Sequence, residues 1–240
     1  MGWLRLGLLL VVLGTGCQPP AAAFVSGLQG MAAEIAEDPA DAIADHLDQA
    51  HRFAHASGIP EFRDGVDRLA AAWAVPEVPG GVVVLIEPTR FSDALNPIHT
   101  RPRTVRISPN LVDGVLRYTL RIDRSRYQDT IPGPAELAVY LFAASLRRDW
   151  FESKRAGGAR GRELLDTIIG DSQGMLGAQF RTWDRVIEVA YLPLRARNAI
   201  APVPELESLA EGRAACRLKP DPEGCWQSQV RVALNLREPQ

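Results

Sequence analysis

Three polar residues in the first quarter of the chain have the types and spacing of a metal site. Asp48, His51 and His55 follow one another at intervals of three and four residues, which places their side chains along one face of a helix. Imidazole and carboxylate groups are ligands that Zn²⁺ accepts in proteins. Because His99 is the only candidate for a more distant ligand, we favour a solvated polar face and expect no metal cofactor.

Ser172 is the candidate nucleophile. Its neighbours, Gly170 to Gly174, match the pattern G-x-S-x-G and resemble the nucleophile elbow of α/β-hydrolases, in which glycines allow the tight turn that exposes the serine. The resemblance implies a histidine after the serine, whereas all four histidines precede it. The Gly-Asp-Ser sequence also resembles the serine loop of chymotrypsin-like proteases, whose all-β fold the helical patterns oppose. Without a base the hydroxyl is a weak nucleophile at neutral pH, so a serine hydrolase is the alternative function.

Charge is segregated along the chain. Residues 34–48 contain six acids and no lysine or arginine, and residues 90–126 contain eight arginines and three acids. Arg117 and Arg121 share one face of a predicted strand. This face suggests an anionic partner, either phosphorylated lipid headgroups or an acidic protein surface. A solvated face, or pairing with the acidic helix, is the alternative that we favour. The net charge of −2 gives no reason to expect nucleic acid as a partner.

The elements that position these residues follow from hydrophobic periodicity and from Pro and Gly breakers. Helices are predicted over residues 38–58, 61–74, 134–150 and most of 162–192. Strands are predicted over residues 82–86, 104–107 and 116–122. Asp113-Gly114 predicts a turn that joins the last two strands as an antiparallel hairpin. The order of elements predicts an α+β fold, in which helices flank a small, partly antiparallel sheet of about three strands.

This layout is similar to that of small zincin metallopeptidases, in which a helix carrying H-E-x-x-H follows a short sheet. The similarity covers about residues 100–190. On that motif Val139 and Ala143 stand at the histidine positions and Tyr140 at the glutamate position. Since these three residues cannot perform the metal chemistry, the resemblance implies an inactive metallopeptidase-like scaffold.

The start of the chain predicts export. Arg5 is the only charged side chain among the first seventeen residues, and an apolar run over residues 6–13 is followed by the small residues 14–16. A basic start, a short apolar stretch and small residues are typical of a signal peptide. No later apolar run approaches the roughly 20 residues that a membrane-spanning helix needs.

The end of this leader resembles the lipobox of bacterial lipoproteins over residues 13–17. Gly14 stands where that family usually has leucine. The resemblance implies that Cys17 becomes the acylated N-terminus, and an ordinary secretory signal is the alternative. Gln18, in place of aspartate, implies sorting to the outer membrane.

Two cysteines remain once Cys17 is assigned to lipid. Cys216 and Cys225 lie nine positions apart, and such a pair in an exported chain predicts a disulfide. A two-cysteine metal site is the alternative, but no histidine lies near it in the sequence. The disulfide would stabilise a C-terminal segment of about residues 202–240.

These patterns together predict a lipoprotein anchored to the periplasmic face of the bacterial outer membrane, with the inner membrane or secretion as alternatives. Residues 1–16 form the signal peptide, 17–23 the lipidated cysteine and its tether, and 24–240 a single domain. For each group of candidate catalytic residues in the sequence, a structural explanation is simpler than a catalytic one. We therefore expect a non-catalytic role, as a binding protein or a structural accessory in the cell envelope.

The leader yields a direct prediction. Protein purified from the membranes of its native cells should begin at Cys17 and carry fatty acid on that residue, because signal cleavage and acylation are coupled in lipoproteins. Intact-mass spectrometry of the purified chain and of its N-terminal peptide measures both features. A chain that begins at Met1, or a free thiol on residue 17 in a cytosolic extract, would show that the leader is not an export signal.

Overall fold

The computed structural model describes residues 39–87, 105–123, 133–155 and 158–233. The chain divides into two compact units, Met1–Asp45 and His46–Gln240. Nearly all of the described residues belong to the second unit. Cys17, the predicted signal peptide, the tether and His99 lie outside the described residues.

Helices make up most of the described chain. Their bounds are α1 (Pro39–Ala56), α2 (Pro60–Trp73), α3 (Pro134–Arg155), α4 (Gly161–Gly170), α5 (Ser172–Arg185), α6 (Leu192–Ala196), α7 (Pro204–Cys216) and α8 (Pro222–Ala233). Five of them begin at proline, whose fixed φ suits the first turn and whose missing N–H is not needed there. Across the described ranges, no helix combines the length and the apolar character that crossing a membrane requires.

Three strands form one mixed sheet, β1 (Val82–Glu87), β2 (Val105–Val112) and β3 (Val115–Asp123), in the order β1-β3-β2. β2 and β3 are antiparallel and β1 is parallel to β3. Asp113 and Gly114 form the two-residue turn of the hairpin, and both have positive φ, 51° and 76°, as such turns require. The predicted α+β fold and the predicted hairpin are therefore confirmed.

The N-terminal half of α3 forms the centre of the core. Nine consecutive residues, 137–145, are buried, because α2, α4, α5 and β2 pack around this helix. A helix with no exposed face belongs in a protein interior. The apolar face of β3 is also buried, and the Tyr118 ring stacks on Phe151 of α3 with centroids 5.7 Å apart.

Some boundaries differ from those predicted. β2 continues to Val112 instead of ending at residue 107, since it is an edge strand and tolerates Pro109, which has no N–H to donate. The helical region from residue 162 is interrupted at Asp171. The carboxylate of Asp171 caps α5 by accepting a hydrogen bond from the Gly174 N–H at 2.8 Å.

The contact between α2 and α3 depends on one glycine. A Cβ at Gly65 would lie 2.5 Å from Cδ2 of Phe142, far inside van der Waals contact. Phe142 has no exposed surface and meets Phe62 edge-to-face with ring centroids 5.5 Å apart. The ring therefore has little room to move away, and the two helices require glycine at this position.

Replacing Gly65 tests this packing. Helix propensity alone predicts that Gly65→Ala stabilises the fold by about 1 kcal/mol, whereas the clash with Phe142 predicts destabilisation by roughly 1–3 kcal/mol. Urea unfolding measures the difference. The matched control is Gly170→Ala at the end of α4, where a Cβ meets nothing within 4 Å; this variant should be neutral or slightly stabilising. A Gly65→Ala variant as stable as the control would show that α2 and α3 do not approach this closely.

Candidate functional site

A groove of about 770 Å³ lies between α3, α5, α7 and α8. This volume is in the range of ligand pockets, roughly 300–1,000 Å³. Three aromatic side chains contribute apolar surface to it: Trp150, Phe180 and Trp226. Together with the neighbouring Leu146 and Ala178 they give the groove an apolar floor.

One disulfide and one hydrogen bond connect the helices that form one wall of the groove. The predicted disulfide between Cys216 and Cys225 is present, with the two Cα atoms 5.4 Å apart, and it joins the end of α7 to the first turns of α8. Trp226 of α8 donates its indole N–H to the carbonyl of Phe180 on α5 at 3.2 Å. Closing so short a loop is worth roughly 2–3 kcal/mol in the chain-entropy model. These links connect α7 to α8 and α8 to α5 along this wall.

The rim of the groove is a network of alternating charges. Arg185 Nε donates to Glu61 at 2.7 Å, and Nη1 of the same arginine lies 3.5 Å from Glu188. Arg213 contacts Asp184 at 2.5 Å and Glu188 at 3.3 Å. The Arg213 side chain is only 11% exposed, and the hydrogen bond to Glu61 is the main cause of the raised pKa of Arg185. These ion pairs link α2, α5 and α7 around the groove.

Glu188 lies in a π-helical turn, Val186–Tyr191, that connects α5 to α6. In this turn the Leu192 N–H bonds to the carbonyl of Ile187, five residues earlier. Pro193 follows and has no N–H to donate to the carbonyl of Val189. Such turns are often found at functional sites, and here the turn carries Glu188, which contacts both Arg185 and Arg213.

A second cluster joins α1 to α2. His51 Nε2 and His55 Nε2 lie 2.6 and 2.7 Å from the same atom, Oδ1 of Asp67. The two imidazole rings meet edge-to-face with centroids 4.8 Å apart. Burial raises the pKa of Asp67, but the hydrogen bonds and charges of His55 and His51 outweigh that effect and lower it overall. Because an ionised carboxylate only accepts hydrogen bonds, both Nε2 atoms are donors.

The predicted metal-site residues are therefore only partly brought together. Asp48 is not part of the cluster, since its carboxylate pairs with Arg52 at 2.8 Å. The third member is Asp67, which the sequence reasoning missed. Only three residues separate α1 from α2. This short connection was the feature of the sequence that could have pointed to a ligand on α2. It brings α2 close to α1 and makes the carboxylates of α2, which are Glu61, Asp64 and Asp67, the first candidates for a third ligand.

Ser172 is the exposed first residue of α5. The element before it is helix α4, so the strand of a nucleophile elbow is missing here. Within the described ranges its hydroxyl makes no hydrogen bond to a base. Its neighbour Asp171 contacts Lys154 at 2.5 Å, and this bond together with that from Gly174 lowers the pKa of Asp171. A side chain at Gly174 would collide with the Asp171 carboxylate, so capping explains this part of the motif.

Arg117 and Arg121 lie, as predicted, on the face of β3 opposite its buried apolar residues. The register of the hairpin sets Arg106 directly across from Arg121. These two residues and Arg147 of α3 line a cleft of about 280 Å³. No acidic residue of the described chain lines that cleft, and each of the three arginines makes an interaction of its own. An anionic partner at this face stays a prediction.

The helix that corresponds to the zincin motif is α3. Val139, Tyr140 and Ala143 are all buried in its central part, so these positions pack the core. The side chains present do not suit a metal ion. In comparisons with protein-family models, curated proteins and solved structures, no match to the chain was found.

The rim network can be tested through Arg213. Arg213→Met keeps most of the apolar stem but leaves Asp184 and Glu188 without this cation, so we expect a loss of roughly 1–3 kcal/mol in the free energy of unfolding. The control is Arg162→Met, whose arginine is 76% exposed and pairs with Asp166 on the same helix; its effect should stay below about 0.5 kcal/mol. Urea unfolding at low salt compares the two. Equal effects would show that the rim pairs are ordinary surface pairs.

Proposed function

We propose that the chain is a non-catalytic binding protein of the cell envelope, which holds a peptide segment of a partner protein in the groove between α3, α5, α7 and α8. The observation that carries this proposal is the combination of an aromatic floor with a rim of paired charges. Buried aromatic and arginine side chains supply most of the binding energy in many protein interfaces.

The charge balance of the groove favours a peptide over an anionic ligand. Equal numbers of acidic and basic residues line it, namely Glu61, Asp184, Glu188 and Glu223 with Arg181, Arg185, Arg213 and Arg217. A nucleic acid or a cluster of anionic headgroups would require a strong excess of cations. A peptide offers an apolar side chain for the floor and polar backbone groups for the rim, and these groups are themselves uncharged.

The lining also supports a role in binding. The described residues around the groove include no histidine, and Cys216, its only cysteine, is held in the disulfide. Two of its arginines, Arg185 and Arg213, are already paired with Glu61, Asp184 and Glu188. A groove whose charged groups are fixed in advance loses little conformational entropy when a ligand binds.

The proposed location follows from the leader and is supported by the disulfide. Structural disulfides persist in oxidising compartments and are rare in the cytosol. With acyl chains on Cys17 and a tether over residues 17–23, the domain would stay close to the periplasmic face of the outer membrane. The partner would then be another protein of the envelope.

Site-specific photo-crosslinking in living native cells tests the proposal. A photoreactive amino acid in place of Glu223, an exposed residue of the rim, should crosslink to a defined envelope protein. Gly177→Phe places a ring in the groove, where the only atom near its Cβ is Arg181 Nη1 at 3.3 Å. This variant should reduce crosslinking at least about tenfold, which corresponds to about 1.4 kcal/mol of binding free energy.

The matched control is Gly170→Phe, an exposed glycine whose Cβ would meet no atom within 4 Å. It introduces the same side chain outside the groove, and crosslinking should be unchanged. Mass spectrometry of the crosslinked product should identify one recurrent peptide. Absence of a crosslinked protein, or equal yields from the two phenylalanine variants, counts against the groove as the binding site.

A further inference from the structure

We propose that His51, His55 and Asp67 form a binding site for a divalent transition-metal ion, because α1 and α2 bring two imidazole nitrogens and a carboxylate oxygen to one point. The site is separate from the groove and does not depend on the binding function proposed for it. It differs from the site suggested by the sequence in its third ligand, which is Asp67 instead of Asp48.

The positions of the donor atoms suit one ion. A donor atom from each of the three residues lies within 4.8 Å of the others. In a tetrahedral zinc site with bonds of 2.0–2.1 Å, neighbouring ligand atoms are about 3.3 Å apart. Each Nε2 now lies 2.6–2.7 Å from Oδ1 of Asp67. An entering ion would therefore require each Nε2 to move roughly 0.6–0.7 Å further from Oδ1, and a pair of donor atoms as far apart as 4.8 Å to approach by about 1.5 Å. Side-chain rotation of the two histidines is the movement that we expect to make both changes.

Metal binding requires the hydrogen on each histidine Nε2 to leave that atom. In the hydrogen-bonded arrangement each Nε2 carries the hydrogen that it donates to Asp67. Coordination requires the Nε2 lone pair, and a neutral imidazole supplies it when its hydrogen resides on Nδ1. For a neutral ring the change of tautomer leaves the charge unchanged, whereas a protonated ring would first release one proton to solvent. The ion then replaces two hydrogen bonds to one carboxylate with three bonds to itself.

Exposure leaves room for further ligands. The side chains of His51, His55 and Asp67 are 31%, 49% and 38% exposed, so the remaining coordination positions face solvent and can hold water. Two imidazoles and one carboxylate favour first-row transition metals over Ca²⁺ and Mg²⁺, which prefer oxygen ligands. This chemistry identifies the class of ion, and Zn²⁺ is the probe that we choose.

The charges around the cluster do not oppose a cation. Three arginines on α1 and α2 lie within four residues of a member of the cluster, and each has a carboxylate partner within 2.9 Å: Arg52 with Asp48, Arg63 with Asp64, and Arg68 with Asp149. Their positive charge is thus locally compensated. The carboxylate of Asp67 remains as the anionic ligand for the ion.

Calorimetric titration of the purified full-length chain, in detergent, with Zn²⁺ tests the site. We expect one ion per chain. Asp67→Asn is almost isosteric and His51→Ala removes an imidazole; each should weaken Zn²⁺ binding at least about tenfold. Asp48→Asn is the matched control, because it removes a carboxylate that lies one turn from His51 on α1 but is not a member of the cluster. The affinity of this variant for Zn²⁺ should equal that of the wild type.

Thermal unfolding supplies a second measurement. An ion that binds only the folded state raises Tm as its concentration increases, so Zn²⁺ should raise the Tm of the wild type and of Asp48→Asn more than that of Asp67→Asn. The metal-free Tm of each variant shows whether it folds. The proposal is overturned if the wild type binds no stoichiometric Zn²⁺, or if Asp67→Asn binds as tightly as Asp48→Asn; the cluster would then be a hydrogen-bonded link between α1 and α2.

Discussion

Complete burial of the central part of α3 is the constraint on which the structure depends. Nine successive side chains, residues 137–145, are shielded from water, so every surrounding element must present an apolar face to this helix. The alternation along β3, the close contact at Gly65 and the position of α5 all meet that requirement. Since α3 and α5 also line the groove, the core determines where a ligand site can form.

Charged groups at the edge of this core act mainly as connections between elements. Tyr118 donates its buried hydroxyl to Glu152 at 2.5 Å, and burial raises the pKa of the tyrosine, which keeps it a donor across the physiological range. Arg148 donates to the carbonyl of Gly80 at 2.8 Å and lies over the Tyr118 ring. The rim network of the groove is built in the same way, from arginines that each contact groups on more than one element. This pattern suits a rigid scaffold that presents a preformed surface.

The motif around Ser172 has a structural explanation. The arrangement of His51 and His55 still suggests a chemical role. The glycine and aspartate around Ser172 form a helix cap, which depends on local backbone hydrogen bonds and needs no active site. His51 and His55 instead meet a carboxylate from another helix, so their arrangement is not a consequence of helical periodicity alone. Spacing in the sequence was therefore an incomplete guide to the histidine cluster.

The sequence by itself determined the features that depend on neighbouring residues: the turn at Asp113-Gly114, the disulfide between Cys216 and Cys225, the alternation along β3, and the α+β class. These features could be predicted because backbone conformation and hydrophobic periodicity depend on residues that are only a few positions apart in the sequence. Only the tertiary structure decided that Asp67 joins the two histidines, and that Trp150, Phe180 and Trp226 share one groove. Such contacts join residues from different helices, and the relative rotation of packed helices sets which side chains meet. That rotation depends on the shape of the whole core, here on the helices that surround α3.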